Sequence, residues 1–385
     1  MTFTIGIIGT GAMGAGIAQV AASNGCKVLL HDANSQMLQS AMEGIKASLC
    51  KLVEKEKISE ADKIKALDNI STHQSLNDLG PCNMVIEAIV EDLSIKQKVF
   101  SQIEQIVSTK CILASNTSSL SIASIAAACK NNERVVGIHF FNPAVLMPLV
   151  EIIPALTTSE NVFNESMKII KSWGKVTVKA KDTPGFIVNR LARPYYGEAI
   201  KIYEEGMADF ATIDHAMKTL GGFKMGPFEL MDFIGNDVNY RVTETVWQQF
   251  FYDARYRPSL TQKRLFEAGL FGRKTGKGYY DYSSKELAKP ATDEALLQKI
   301  FIRIMAMLIN EAAEALFLQI GTRDDLDMAM VKGVNYKQGL LKWADELGHE
   351  TVLNELNYLH NWFGDDRYRA STLLKQKVQD GQLFY

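Results

Sequence analysis

Apolar residues in the first 180 positions gather into short unbroken runs, at 5–8, 28–30, 84–86, 111–114 and 135–138. None alternates apolar with polar, so each predicts a strand buried on both faces, the pattern of a parallel sheet covered by helices. Helical periodicity fills the gaps, and the alternation predicts a doubly wound α/β domain over residues 1–182. One gap is longer than a crossover helix needs. Over residues 34–66 the apolar positions Leu38, Met42, Ile45, Leu49 and Leu52 recur at helical spacing, which predicts a helical hairpin inserted after the second strand.

Strand signals fade after Asp182-Thr183-Pro184-Gly185-Phe186, and amphipathic helical patterns take over, so an all-α region is expected from there on. A polar linker at 283–290 divides it into domains at 183–282 and 291–385, and these resemble each other. Ile213-Asp214-His215-Ala216-Met217 returns as Leu326-Asp327-Met328-Ala329-Met330 at an offset of 113 residues. Gly226, Asp232 and Gly235 return at the same offset as Gly339, Asp345 and Gly348, and Arg255-Tyr256-Arg257 returns as Arg367-Tyr368-Arg369, one residue out of step. Matches in register imply two all-α domains related by duplication. The Asn189-Arg190 segment has no recognisable repeat, so the second copy is expected to be structural.

Composition narrows the class. The 385 residues carry 42 Lys and Arg against 44 Asp and Glu, a formal net charge of -2. That length predicts two or three domains at roughly 100 to 200 residues each, and the charge balance gives no basis for a nucleic-acid or membrane-surface partner. No apolar run approaches the ~18 residues of a membrane span. Five cysteines, odd in number and without a Cys-x-x-Cys pair, argue against a disulfide framework or a zinc site, and a cytoplasmic setting is expected. Met1 stands directly before the first strand, which leaves no room for a leader peptide.

Gly9-Thr10-Gly11-Ala12-Met13-Gly14 follows the first predicted strand and opens a helix. Glycines at these spacings serve a tight turn, close approach of a pyrophosphate and helix-on-strand packing, the fingerprint of a Rossmann-type dinucleotide site. Asp32 ends the next strand, near the ~20-residue spacing of the acid that bonds the adenine ribose. An acid there repels a 2′-phosphate, so NAD is expected rather than NADP. His139 ends the strand at 135–138, and Glu151 lies in a second apolar run at 149–153, where a carboxylate needs a partner. An imidazole held by a carboxylate on one nitrogen can take a proton on the other, as alcohol oxidation by a nicotinamide requires. Ser115-Asn116-Thr117-Ser118-Ser119 again joins a strand to a helix, and one of its hydroxyls is expected to cap that helix. Asn189 is expected to begin the first helix of the second domain.

With Ser115 to Leu120, His139-Phe140-Phe141-Asn142-Pro143, Val150-Glu151, Asp182 to Arg190, Met225-Gly226-Pro227-Phe228-Glu229-Leu230 and Gly272-Arg273-Lys274-Thr275-Gly276-Lys277-Gly278-Tyr279 added to the glycine motif, the chain resembles the NAD-dependent L-3-hydroxyacyl-CoA dehydrogenases from residue 1 to about 282. The remaining hundred residues resemble the second C-terminal domain of some bacterial members. The resemblance implies oxidation of a short-chain (S)-3-hydroxyacyl-CoA such as 3-hydroxybutyryl-CoA. It makes His139 the general base, Glu151 its orienting partner, and Ser118 and Asn189 hydrogen-bond partners of the substrate. It also implies NAD contacts at Asp32, Glu91, Lys96, Asn116, Ser118, Asn142 and Lys274, and CoA contacts at Ser48 and Lys55 on the lysine-bearing hairpin. For Glu91 and Lys96 the plain alternative is an exposed, charged helix start. Members with one helical domain pair through it, so a tandem copy is expected to supply that packing surface, leaving a monomer or a homodimer. No enoyl-CoA hydratase is expected upstream of Met1. The competing readings are a sugar-acid dehydrogenase resembling L-gulonate dehydrogenases and a non-catalytic relative of the lens-crystallin kind.

Overall fold

The computed structural model describes residues 3–284 and 289–385, so residues 285–288 of the predicted linker lie outside it. Residues Met1–Thr183 form one compact unit and Pro184–Tyr385 another. The first is built on one eight-stranded sheet: β1 (Thr4–Ile8), β2 (Lys27–His31), β3 (Ile70–His73), β4 (Met84–Glu87), β5 (Ile112–Ser115), β6 (Val135–Phe140), β7 (Leu149–Pro154) and β8 (Val176–Lys179), in the order β3-β2-β1-β4-β5-β6-β7-β8. Strands β1 to β6 are mutually parallel. β7 runs antiparallel to β6 and parallel to β8, a departure from the all-parallel expectation. The cause is chain length: the return over residues 141–148 is too short for a crossover, which takes a dozen residues or more. β3, at one edge, was not predicted, because only Ile70 of its four residues is buried and it carries no apolar run.

Helices α1 (Ala12–Ser23), α2 (Ser35–Glu54), α3 (Glu60–Asp68), α4 (Leu93–Ile106), α5 (Ile122–Ala126) and α6 (Glu160–Ser172) belong to this unit. α2 and α3 are the hairpin, each started by local chemistry. The Asn34 side chain accepts from Gln36 N, and Ser59 and Asp62 cap each other's backbone amides reciprocally. Leu38, Ala41, Ile45 and Leu49 of α2 join the core that Ile5, Ile7, Val28, Leu30 and Ile86 form from the strands. α5 is capped by Ser121 and by Asp182, whose carboxylate accepts from Ile122 N and Ala123 N. No hydroxyl of residues 115–119 caps it, contrary to expectation; Thr117 instead closes the preceding turn by accepting from Ser119 N and Leu120 N.

The second unit is helical: α7 (Val188–Leu191), α8 (Arg193–Glu204), α9 (Phe210–Gly221), α10 (Pro227–Ile234), α11 (Asn236–Gln249), α12 (Leu260–Glu267), α13 (Glu294–Phe317), α14 (Arg323–Gly333), α15 (Leu340–Leu347), α16 (His349–Phe363) and α17 (Thr372–Asp380). The repeat seen in sequence has a physical counterpart. In the first copy buried Asp214 accepts from Phe228 N and Glu229 N at the start of α10 and from the Tyr280 hydroxyl. In the second, Asp327 accepts from Leu341 N and Lys342 N at the start of α15 and from the Tyr385 hydroxyl. Asp232 receives Tyr279 N and Tyr280 N as Asp345 receives Phe384 N and Tyr385 N. Gly226 and Gly339 are required because a methyl at either would overlap the aspartate behind it.

Candidate active site

Three glycines of the first turn are glycine for three different reasons. Gly9 sits at φ +99° against Ala88, and a methyl on Gly14 would overlap the Gly9 carbonyl, so both are demanded by the turn itself. A methyl on Gly11 would meet nothing within 4 Å. Gly11 is also the N-cap of α1, with no side chain to satisfy the first amides of the helix. Open space beside unsatisfied helix N–H groups suits a pyrophosphate. Asp32 follows β2 and accepts from Thr10 Oγ1 at 2.7 Å, which ties it to the glycine turn. Between β1 and β4 the strand order reverses, the place where open α/β sheets bind ligands.

Beyond the carboxyl ends of β4 and β5 lies a charge network, buried at Glu87 and Lys96 and exposed at Glu91. Lys96, 1% exposed, places Nζ 2.6 Å from Glu87 Oε1 and 3.3 Å from Glu91 Oε2. Lys96 is therefore not part of an exposed helix start. Glu87 also accepts from Ser115 Oγ at 2.7 Å and from Ile89 N. Glu91 gathers the following turn, accepting from Thr117 Oγ1 at 2.6 Å, Ser118 N at 2.9 Å and Ser119 Oγ at 3.1 Å. Burial on its own would raise Glu91, but Lys96, the Thr117 hydroxyl and the Ser118 amide together hold it below the ordinary carboxylate range. Glu87 was missed in the sequence, although a carboxylate ending an apolar strand is the same signal that exposed Glu151.

His139 and Glu151 are register partners on β6 and β7, which places them side by side on one face of the sheet. His139 Nδ1 lies 2.7 Å from Glu151 Oε2; the residues are 5% and 0% exposed. A carboxylate can only accept, so Nδ1 carries the proton and Nε2 is the basic nitrogen of the ring. The Phe141 ring lies 4.4 Å from the imidazole. Asn116 fastens the neighbouring loop to this strand, its Oδ1 accepting from Phe140 N at 2.8 Å. Asn142 is exposed and precedes a cis peptide bond to Pro143. On the hairpin, Ser48 is half-buried within α2 and Lys55 is exposed at its C-cap. In the second unit Asn189 lies in α7, and Lys274 pairs with Asp237 at 2.5 Å, a partner the sequence did not suggest.

The first unit, at residues 4–183, matches the family model for the NAD-binding domain of 3-hydroxyacyl-CoA dehydrogenase. The C-terminal domain model of the same family matches at residues 185–282 and 300–384. The chain belongs to the 3-hydroxyacyl-CoA dehydrogenase family. This family makes it an NAD-dependent oxidoreductase acting on an acyl-CoA substrate. Among its relatives are the 3-hydroxyadipyl-CoA dehydrogenase of Escherichia coli, 35% identical with 97% of both chains covered, and the human mitochondrial hydroxyacyl-coenzyme A dehydrogenase, 42% identical over 72% of this chain and 90% of that one. A crystal structure of 3-hydroxybutyryl-CoA dehydrogenase from Escherichia coli K12 superposes with a TM-score of 0.94 at 34% identity, covering 99% of each chain. Among the described residues no helix is long and apolar enough to cross a membrane, and no His, Cys, Asp and Glu cluster could hold a metal.

Proposed function

We propose that this 3-hydroxyacyl-CoA dehydrogenase oxidises a short-chain (S)-3-hydroxyacyl-CoA reversibly through His139 as general base, with 3-hydroxybutyryl-CoA as the reference substrate. The observation that supports it most is the 2.7 Å contact between His139 Nδ1 and Glu151 Oε2 across two paired strands. His139 Nε2 would take the proton of the 3-hydroxyl, and bound NAD would supply the acceptor for the C3 hydride, so that the alcohol becomes a ketone. Glu151 fixes the tautomer and stabilises the imidazolium that forms. Ser118 and Asn189 hydrogen-bond the substrate oxygens and orient C3. Gly9, Gly11, Gly14 and Asp32 hold the pyrophosphate and ribose of NAD, with Glu91, Lys96, Asn116, Asn142 and Lys274 as further contacts. Ser48 and Lys55 contact the CoA moiety.

The layout we propose is a cofactor domain (1–182), a first helical domain (183–282) and a second (291–385) that takes the place of a dimer partner, in a cytoplasmic protein. The packing inside the second unit supports this. Arg190 of the first copy donates to Glu311 of the second at 2.5 Å, and Arg303 of the second donates to Glu198 of the first at 2.7 Å. Tyr256 and Tyr368 repeat the exchange, donating to Glu311 and Glu198. Arg303 and Glu311 stand 113 residues after Arg190 and Glu198, so each residue meets the counterpart of its own partner, as in a two-fold dimer. Arg190 thus has a counterpart after all, hidden in sequence because Ile302 replaces Asn189.

An NADH-linked assay with acetoacetyl-CoA tests the activity. Turnover with competitive inhibition by free CoA is expected, whereas activity on L-gulonate unaffected by CoA would favour the sugar-acid reading.

A further inference from the structure

Arg190 and Arg303 are counterparts at the 113-residue offset and both are buried, yet they are held unequally. Arg303 has two carboxylates, with Nε 2.7 Å from Glu198 Oε1 and Nη1 2.7 Å from Glu205 Oε2, and the first copy supplies both. Arg190 has one among the described residues, with Nε 2.5 Å from Glu311 Oε1, because the counterpart of Glu205 is Leu318. Tyr256 donates to the same oxygen at 2.6 Å, and Glu311 is only 2% exposed. A buried guanidinium with a single counter-ion is fixed by it, since any separation leaves two charges uncompensated.

The helix to which Arg190 belongs is poorly able to fix itself. α7 has four residues and no side-chain cap, far below the ~12 residues at which a helix begins to hold its own shape. Val188, Arg190 and Leu191 are buried, and Asn189 between them is half-buried, so its three neighbours set the rotation at which Asn189 is presented. Besides α8, the main packing partners of α7 are α13 and α14, and both belong to the second copy.

The reciprocal pair provides an internal control. Where the first copy has Asn189 the second has Ile302, placed inside the 24-residue α13 rather than at a helix start. Glu198 and Arg303 therefore repeat the charge pairing of Glu311 and Arg190 with no polar side chain of a short helix tied to it.

We propose that Glu311 is a positioning residue for the reaction: through Arg190 it fixes α7 and with it Asn189, so the second copy supports the substrate contact of the first as well as packing against it. This rests on the reading of Asn189 as a hydrogen-bond partner of the substrate. Glu311 itself acts only through Asn189, and a misplacement of about 1 Å in an orienting group costs on the order of 10²-fold in rate.

The test is a double-mutant cycle on the full chain, read as kcat/KM for acetoacetyl-CoA with NADH. Glu311→Gln keeps the side-chain shape but takes the counter-charge from Arg190, and should lower kcat/KM roughly 10- to 100-fold. Glu198→Gln, the matched change in the other pair, should leave it nearly unchanged. In an Asn189→Ala background Glu311→Gln should cost no more than about twofold further, because the group it positions is gone, whereas a loss of general structure would multiply. Native kcat/KM in Glu311→Gln, equal falls in the two Gln variants, or a loss that multiplies with Asn189→Ala overturns the positioning and leaves the dehydrogenase intact. Native kcat/KM in Asn189→Ala overturns the Asn189 reading, and the positioning with it. Where either Gln variant fails to fold, Tyr256→Phe and Tyr368→Phe decide the point, each removing one hydroxyl from one of the two carboxylates. A loss of about threefold or more is expected for Tyr256→Phe and none for Tyr368→Phe, and equal effects overturn the proposal.

Discussion

Glu151 is tolerable inside the sheet because His139 stands directly across from it, and Glu151 in turn decides which ring nitrogen carries the proton. Glu151→Gln keeps the shape but replaces an acceptor by an amide that can present the wrong face to Nδ1. We expect kcat to fall on the order of 10²-fold or more with little change in KM, read by steady-state kinetics. Glu91 makes a pH prediction. Its folded value lies below the ordinary 4.5, so its contribution to stability is fully present above 4.5 and is lost as pH falls through the folded value. Acid unfolding followed by circular dichroism should therefore be steeper below pH 4.5 in the native chain than in Glu91→Gln; identical profiles would mean the turn at 117–119 draws nothing from the charge.

The glycine turn separates folding from binding at the level of one element. Gly14→Ala should unsettle the turn and lower the melting temperature, because its methyl overlaps the Gly9 carbonyl. Gly11→Ala meets no protein atom, so it should melt normally yet bind NADH at least tenfold more weakly; unaltered affinity by fluorescence titration would place the pyrophosphate elsewhere. Lys96→Met strands Glu87 inside the network and should cost about 3–5 kcal/mol by urea denaturation. These elements differed in how legible they were. The interior strands and the glycine turn were plain from unbroken apolar runs and spacing, and so were His139 and Glu151 as candidates. The reversal of β7, the burial of Lys96 and the role of Glu87 depend on which segments lie side by side, and a one-dimensional pattern does not carry that. Asp32, Asn116 and Ser118 were legible as polar residues at strand ends, but their anchoring by Thr10, Phe140 and Glu91 was not.

At the scale of the whole molecule, the duplication was visible in sequence as a period, while its meaning lay in reciprocal pairs that cross between the copies. Glu198 and Glu311 are buried acids, each serving the other copy's arginine and tyrosine. Ending the chain at residue 284 removes Arg303 and Tyr368 from Glu198, so the shortened protein should dimerise through that face or aggregate, whereas the full chain should not pair through it. Sedimentation of both chains checks this. A full-length dimer held by residues 183–282 of two chains would contradict it.

The most direct measurement is the rate of NADH-dependent reduction of acetoacetyl-CoA by the native chain and by His139→Gln under the same conditions. Turnover by the native chain with a loss of 10² to 10⁴ in kcat for the variant is the predicted result. Near-native turnover by His139→Gln would contradict the assignment of His139 as the base.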